Sequence, residues 1–197
     1  MLENTALQFY ILVLLVMLFV SVYNNIKQKR TMEERNVGEH DLIKRAYYNP
    51  ITELPNLSNV KMVIDEQMNR TTRHKRNFLL AVIKIQNYHD VNMHSTEYGK
   101  TFIIEAANRI VDALRTEDVV AHTTDNGFVI LFNEYLEKEN YNILVERLNN
   151  SFAEKLKINS STFFDFKISI GTVTSSELYT TSEALINEAT RQALKNL

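Results

Sequence analysis

Apolar residues recur along this chain with two different periods, and these periods predict where helices and strands form. A spacing of three and four residues gives a helix one apolar face, whereas a short and nearly continuous apolar run is typical of a strand covered on both sides. In chain order the pattern predicts a helix from Leu57 to Thr72, a strand from Phe78 to Ile85, a helix from Lys100 to Leu114, a hairpin of Val119 to Ala121 and Phe128 to Phe132, a helix from Asn140 to Leu156, a strand from Phe164 to Val173, and a helix capped by Ser182 that ends near Asn196. This order predicts an α/β fold with a mixed central sheet covered by helices.

The hairpin has the clearest local signal. Its polar turn ends in Asn126-Gly127, a pair that supplies the positive φ angles of a tight hairpin turn. Just upstream, Arg115 and Asp118 are three positions apart, so a guanidinium and a carboxylate can lie on the same side of a helix end. The pair is therefore a candidate binding site, and the alternative is a solvated salt bridge at a helix C-terminus.

The N-terminal residues predict a membrane anchor. The run from Ala6 to Tyr23 is interrupted only by Gln8 and Ser21, and about 18 residues at 1.5 Å each span about 27 Å, close to the hydrocarbon thickness of a bilayer. Glu3 stands where a signal peptide would carry basic residues, which favours an uncleaved helix. The basic residues that follow are Lys27, Lys29, Arg30 and Arg35. They predict a single-pass protein whose C-terminal domain is cytoplasmic. The expected organisation is an anchor at 1–23, a juxtamembrane helix or linker at 24–48 and one domain at 49–197.

Composition removes several classes of site. Four glycines are too few for a glycine-rich phosphate loop in addition to the turns of a domain. The chain has no cysteine, which excludes disulfides, thiolate metal sites and cysteine nucleophiles. A formal net charge of −2 gives no general attraction to a nucleic acid polymer, and no such partner is expected.

The hairpin and the segments around it resemble the GGDEF domain of diguanylate cyclases. When the family signature is placed on Thr124 to Phe128, only Phe128 is retained, yet Arg115 and Asp118 fall where the family carries the RxxD motif that binds the product, cyclic di-GMP. Further segments that resemble family motifs are Asn49 to Asn56, Phe78 to Asn92, Ile168 to Val173 and Glu188 to Leu194. The resemblance implies the palm fold of the nucleotide cyclases.

The departures from the family pattern imply loss of catalysis. Lys84 and Asn126 stand at the two positions where active cyclases place acidic magnesium ligands, and a cation there repels a metal ion. Gly127 replaces an adjoining acidic residue, His89 replaces a phosphate-binding lysine, and Lys100 or Thr101 replaces a guanine-contacting aspartate. Asn92 is retained where the family has a guanine-contacting asparagine. No catalytic residue, metal site or cofactor is expected.

The resemblance thus implies a catalytically inactive receptor in the bacterial inner membrane that binds cyclic di-GMP at Arg115 and Asp118. Arginine offers a planar fork to phosphate or guanine, and aspartate accepts from the guanine N–H edge. Two weaker candidates are Arg147, one inserted residue away from the family's second inhibitory arginine, and Arg73, within a basic cluster of Arg70, Arg73 and Arg76. The expected partner is a membrane complex such as a polysaccharide synthesis or export system. A ligand-free scaffold remains the alternative, and homodimer formation stays open.

Overall fold

A computed structural model of the 197-residue chain describes residues 42–74, 77–132, 141–176 and 179–195, together with residues 17, 18, 21, 23, 27 and 29. The chain divides into two compact units, Met1–Arg45 and Ala46–Leu197. Most of the predicted anchor, Ala6 to Tyr23, lies outside the described residues, and the four of its residues that are described are helical. Within the described part of the chain, no helix combines the length and the apolar character that a membrane crossing requires.

The second unit contains five helices and six strands among its described residues. The helices are α1 (Leu57–His74), α2 (Tyr88–His94), α3 (Thr96–Ala113), α4 (Tyr141–Ser151) and α5 (Ser182–Lys195). The strands are β1 (Leu79–Ile85), β2 (Val119–Thr124), β3 (Gly127–Phe132), β4 (Leu156–Lys157), β5 (Phe163–Phe164) and β6 (Ile168–Thr174). The predicted α/β architecture is confirmed, since helices and strands alternate along most of this unit.

The central sheet has the strand order β2-β3-β1-β6, and each of its three pairings is antiparallel. The prediction of a mixed sheet is therefore wrong for the described strands. Strands β1 and β2 do run in the same direction, but β3 lies between them and pairs with both. A tight hairpin forces β3 to run opposite to β2, and β3 also runs opposite to β1. Strand β6 pairs with the other edge of β1, again in the antiparallel direction.

Strand β1 is buried on both faces, as its continuous apolar sequence predicts. Leu79, Ala81, Ile83 and Ile85 belong to one core cluster with α3 and α4, and Leu80 and Val82 belong to a second with α1 and α5. Alternate side chains of one strand thus enter two different cores. Strand β1 and the polar residues at its C-terminal end therefore lie at the centre of the domain.

Several element boundaries differ from the sequence prediction. The helix predicted to reach Leu156 ends at Ser151, and Leu156 lies in β4 instead. Three further differences have local reasons. Helix α3 begins at Thr96 rather than Lys100, because the Ser95 hydroxyl accepts a hydrogen bond of 3.2 Å from the Glu97 amide and caps the helix. Phe164 pairs with Leu156 in a small ribbon, so β6 begins only at Ile168. The cap of α5 is Thr181 rather than Ser182, since the Thr181 hydroxyl accepts from the Ala184 amide at 3.2 Å.

Candidate functional site at the β2–β3 hairpin

The hairpin turn consists of Asp125 and Asn126, and it joins a paired Thr124 and Gly127. Among the described residues other than glycine, only Glu53 has a positive φ. No described glycine has a positive φ. The prediction that Asn126-Gly127 provides positive φ angles is therefore wrong. The β2–β3 register shifts between His122 and Thr124, because β2 contains one extra residue there. This extra residue bends the strand locally, and the bend accommodates the turn in place of positive φ angles.

Asn126 joins the turn to the end of β1. Its carbonyl oxygen accepts from the Ile85 amide at 2.8 Å, and its side-chain Nδ2 donates to the Ile85 carbonyl at 3.1 Å. These two hydrogen bonds satisfy both backbone groups of Ile85 as the strand leaves the sheet. At this position Asn126 acts as a structural bridge between the hairpin and β1.

Lys84 extends from β1 toward the same turn. Its Nζ donates to Thr124 Oγ1 at 2.8 Å, and it lies 3.5 Å from Asn126 Oδ1. Burial lowers the pKa of the Lys84 ammonium, and the nearby Asp125 carboxylate opposes this shift. The position predicted to repel a metal ion therefore holds a half-buried amine that is hydrogen-bonded to the hairpin.

Gly127 provides the space that Lys84 occupies. A Cβ atom added at Gly127 would lie 2.7 Å from Lys84 Nζ and would also collide with Thr124 Oγ1. Lys84 and Gly127 are direct partners in the β1–β3 register, so the two residues face each other across the sheet. A glycine at this point thus accommodates the lysine side chain.

Arg115 and Asp118 lie in a non-helical turn between α3 and β2. Helix α3 ends at Ala113, and Leu114 is already extended, so the predicted placement on one helical turn is wrong. Asp118 Oδ2 accepts from the Arg115 backbone amide at 3.1 Å, and the Asp118 amide donates to the Arg115 carbonyl at 3.1 Å. These reciprocal bonds close the turn, while the Arg115 side chain is about half exposed and lies 4.0 Å from Glu117.

The weaker candidates lie on helices. Arg147 is on α4, and its Nε and Nη2 atoms are buried with no hydrogen-bond partner among the described residues. Arg73 lies in the last turn of α1, but its side chain is outside the described part of the chain, as are both Lys75 and Arg76. Arg70, the remaining member of the basic cluster, is exposed and paired with Glu66.

The residues at the family's base-contacting positions lie on α2 and α3. Asn92 packs directly against Gly99, where an added Cβ would lie 2.8 Å from Asn92 Cβ. His89 and Lys100 are exposed. Across the described residues, no three histidine, aspartate or glutamate side chains come together as a metal-binding group.

Sequence reasoning missed the roles of two side chains that each have several partners. His122, on β2, is buried and contacts Thr52 and the Asp125 carbonyl. Arg109 lies 4.6 Å above the Phe166 ring, bonds Glu105 at 2.9 Å, and also bonds the carbonyls of Ser151 and Glu154. The position of His122 on a half-buried strand was the available signal, whereas the partners of Arg109 are distant in sequence.

An antiparallel four-stranded sheet with two helical layers, and a candidate ligand turn leading into its edge hairpin, defines a domain of the nucleotide-cyclase palm class. Residues 46–197 match the family described as "Diguanylate cyclase, GGDEF domain". The chain belongs to the GGDEF family, and the resemblance seen in its sequence is confirmed.

Individual relatives are distant. The chain is 24% identical over 151 residues to the bifunctional diguanylate cyclase/cyclic di-GMP phosphodiesterase MucR of Pseudomonas aeruginosa; this match covers 75% of the chain but only 22% of MucR. Its fold is similar to the GGDEF domain of YfiN (TpbB) from P. aeruginosa, with a TM-score of 0.71 and 18% identity over 76% of this chain and 88% of that one. It is equally similar to the coiled coil and GGDEF domain of DgcB from Caulobacter crescentus in complex with c-di-GMP, with a TM-score of 0.71 and 17% identity over 84% and 89%.

Proposed function

We propose that this protein is a catalytically inactive, membrane-anchored cyclic di-GMP receptor that regulates a membrane partner, such as a system that makes exopolysaccharide or another surface structure. The observation that carries the proposal is the contrast between the two ends of strand β2. At the C-terminal end of β2, the Lys84 amine donates a hydrogen bond to Thr124, and at the N-terminal end the Arg115–Asp118 turn carries the half-exposed guanidinium of Arg115. The C-terminal end resembles a catalytic site in which the Lys84 amine occupies the metal position. The N-terminal end resembles a ligand-binding site.

The geometry of the Arg115–Asp118 turn supports ligand binding in a specific way. Two hydrogen bonds between Arg115 and Asp118, one of them accepted by the Asp118 carboxylate, hold the turn closed, so little ordering is needed when a ligand arrives. Arg115 can present its fork to a phosphate or to guanine O6 and N7, and the Asp118 carboxylate is a type of group that accepts from guanine N–H groups. Arg147 and Arg73 are proposed as weaker contributors, because their sequence positions fit the family pattern less closely.

Binding is tested by calorimetric titration of the full chain in detergent with cyclic di-GMP. Arg115→Ala and Asp118→Asn should each weaken binding by about 1–3 kcal/mol, a factor of roughly five to over a hundred, because each removes a charged hydrogen-bonding partner. Asp118→Asn is the sharper variant, since its amide oxygen can still accept from the Arg115 amide and preserve the turn. Asp112→Asn is the matched control, because it makes the same change at an exposed carboxylate in the last turn of α3, outside the Arg115–Asp118 turn.

Equal affinities for the wild-type chain, Arg115→Ala and Asp118→Asn would place the ligand elsewhere, first at the basic cluster around Arg73. Absence of binding by the wild-type chain would leave the scaffold interpretation, in which the domain is a docking or dimerisation module. A loss of affinity in Asp112→Asn equal to that in Asp118→Asn would indicate a general charge effect in this region.

Absence of catalysis is tested separately. The purified chain should form no cyclic di-GMP from GTP with magnesium or manganese, because phosphoryl transfer requires metal ions that neutralise developing charge and an amine occupies this end of the hairpin. Product is measured by chromatography against a protein-free control. Product that exceeds the control and scales with protein concentration would contradict the proposal.

A further inference from the structure

A buried histidine connects strand β2 to the segment that enters the domain. His122 is 2% exposed, and its ring stacks on Phe128 with centroids 4.6 Å apart and planes inclined by 18°. Its Nδ1 atom lies 3.1 Å from Thr52 Oγ1, and its Nε2 atom lies 3.4 Å from the Asp125 carbonyl oxygen. The ring therefore lies between the entry segment and the hairpin turn.

The entry segment, residues 49–56, is a turn with its own internal hydrogen bonds. Asn49 Oδ1 accepts from the amides of Ile51 at 2.9 Å and Thr52 at 3.2 Å, and Glu53 adopts a left-handed backbone with φ 57°. The preformed turn meets β2 at two places, the Thr52–His122 contact and a hydrogen bond of 2.9 Å from the His122 amide to the Pro55 carbonyl. Of these two contacts, only the one made by the ring of His122 joins two side chains.

One neutral tautomer satisfies both ring contacts at once. With the proton on Nε2, the ring donates toward the Asp125 carbonyl, and Nδ1 accepts from the Thr52 hydroxyl. Among the described residues, the ring nitrogens contact the Thr52 hydroxyl and the Asp125 carbonyl, which are both neutral, so protonation would bury a positive charge without an ion pair. The Thr52 hydroxyl could still accept from a protonated Nδ1, and release therefore depends on the burial cost of the charge, because the 2% exposed ring gains hydration only when the contacts around it open.

We propose that His122 and Thr52 form a proton-sensitive latch, which holds the entry segment against β2 while the ring is neutral and releases it when the ring is protonated. The latch goes beyond the proposed receptor function, and its test uses no nucleotide. Failure of one therefore leaves the other standing.

The charges around His122 agree with this direction. Burial lowers the pKa of His122; contacts with the carbonyls of Asp125 and Thr124 and the Asp125 carboxylate oppose the shift, and the Lys84 ammonium adds to it. The latched ring therefore binds protons less readily than a free imidazole, whose pKa is about 6.5. The latch is fully stable above about pH 6.5 and loses stability as the pH falls through this value toward the lowered pKa.

The test is amide hydrogen exchange of the full-length chain in detergent between about pH 5 and about pH 8, expressed as protection relative to an unstructured peptide at each pH. Protection of residues 49–56 and of the His122 amide should fall by up to about tenfold per pH unit below about pH 6.5. His122→Asn keeps a hydrogen-bonding group near the Nδ1 position but does not titrate, so its protection should be independent of pH.

Thr52→Val removes the hydroxyl while keeping the side-chain shape, and it should lower protection of residues 49–56 already at neutral pH. Thr123→Val is the matched control, because that hydroxyl contacts the Gly127 carbonyl rather than the His122 ring. This pair of variants tests the Thr52–His122 contact even if His122→Asn does not fold.

Each of the following results would overturn the latch. They are pH-independent protection in the wild-type chain, a pH dependence retained in His122→Asn, and equal protection in Thr52→Val and Thr123→Val. Loss of protection that spreads equally over β1 and β3 would also overturn it, because the event would then be global unfolding.

Discussion

At the scale of single residues, Gly127 and Lys84 are adapted to each other. The Lys84 amine lies where the side chain of any other residue at position 127 would begin, and Thr124 closes the same space from the side. A glycine in a hairpin is usually explained by a positive φ, but Gly127 has none. At position 127, glycine is required because there is no space for a side chain. A second mutation that shortens a neighbouring side chain can restore space, whereas no such mutation can restore an unusual backbone angle.

Gly127→Ala should therefore lower the free energy of unfolding by about 1 kcal/mol, at the low end of the cost of overpacking, because the Lys84 amine is the far end of a flexible side chain. The same substitution in a Lys84→Ala/Thr124→Ala background should have a clearly smaller effect, because the colliding atoms are absent. Chemical denaturation of the four proteins in this cycle measures the difference. An equal loss in both backgrounds would mean that the backbone, and not the neighbouring side chains, requires glycine.

The changes of residue type at the hairpin could be recognised from the sequence, but the contacts of these residues could not be predicted. Lys84 and Asn126 could be recognised as changes from the family pattern, since each departs from an acidic position. Their partners could not be predicted, because the hydrogen bonds to Thr124 and Ile85 depend on a β1–β3 register between residues about forty positions apart. His122 was missed for the same reason, as Thr52 is seventy positions away.

At the scale of elements, the contact between β6 and α5 is set by a second glycine. A Cβ at Gly171 would collide with backbone atoms of Ala189 and Ala193 and lie 2.9 Å from the Gln192 carbonyl carbon. Ala189 and Ala193 are fully buried, so the helix presents small residues to a strand without a side chain. Backbone atoms cannot turn aside as a lysine side chain can, and the two elements would have to separate.

Gly171→Ala should consequently cost about 3 kcal/mol or more of unfolding free energy, or prevent folding. Thr172→Ala, one position along the same strand, should cost no more than about 1 kcal/mol. Thermal and chemical unfolding of both variants provide the comparison. Similar stabilities for the two variants would show that α5 can shift away from the sheet without loss.

Long, strongly patterned elements were predictable, whereas short ones and strand pairing were not. The apolar run of β1 and the stripes of α1 and α3 identified those elements, because each buries many side chains in one regular pattern. Helix α2 was missed since only Val91 is buried among its seven residues. The antiparallel arrangement depends on the insertion of β3 between β1 and β2, a choice made by packing and not by local pattern.

At the scale of the whole molecule, orientation in the membrane decides whether the proposed site can meet a cytoplasmic ligand. The basic residues Lys27, Lys29, Arg30 and Arg35 follow the proposed anchor, and only Glu3 precedes it among the charged residues. A reporter fused after Leu197 should therefore give a cytoplasmic signal, because positively charged flanks are retained on that side. A periplasmic signal would contradict the topology and with it the access to the ligand.

Reversal of the flanking charges provides the control for this orientation. Changing all four basic residues to glutamate should reduce the fraction of chains with a cytoplasmic C-terminus, since the bias from the flank is then lost. An unchanged orientation would indicate that other features of the chain set its topology.

The amine of Lys84 differs from a bound ion in one further respect, which is that it cannot diffuse away. An ion held by carboxylates exchanges with the surroundings, so its occupancy follows the free concentration and can be removed by a chelator. Lys84 is covalently part of β1, and its contacts with Thr124 and Asn126 persist at any concentration of divalent ions. On the proposed function, we therefore expect the hairpin to keep these contacts when a chelator removes divalent ions.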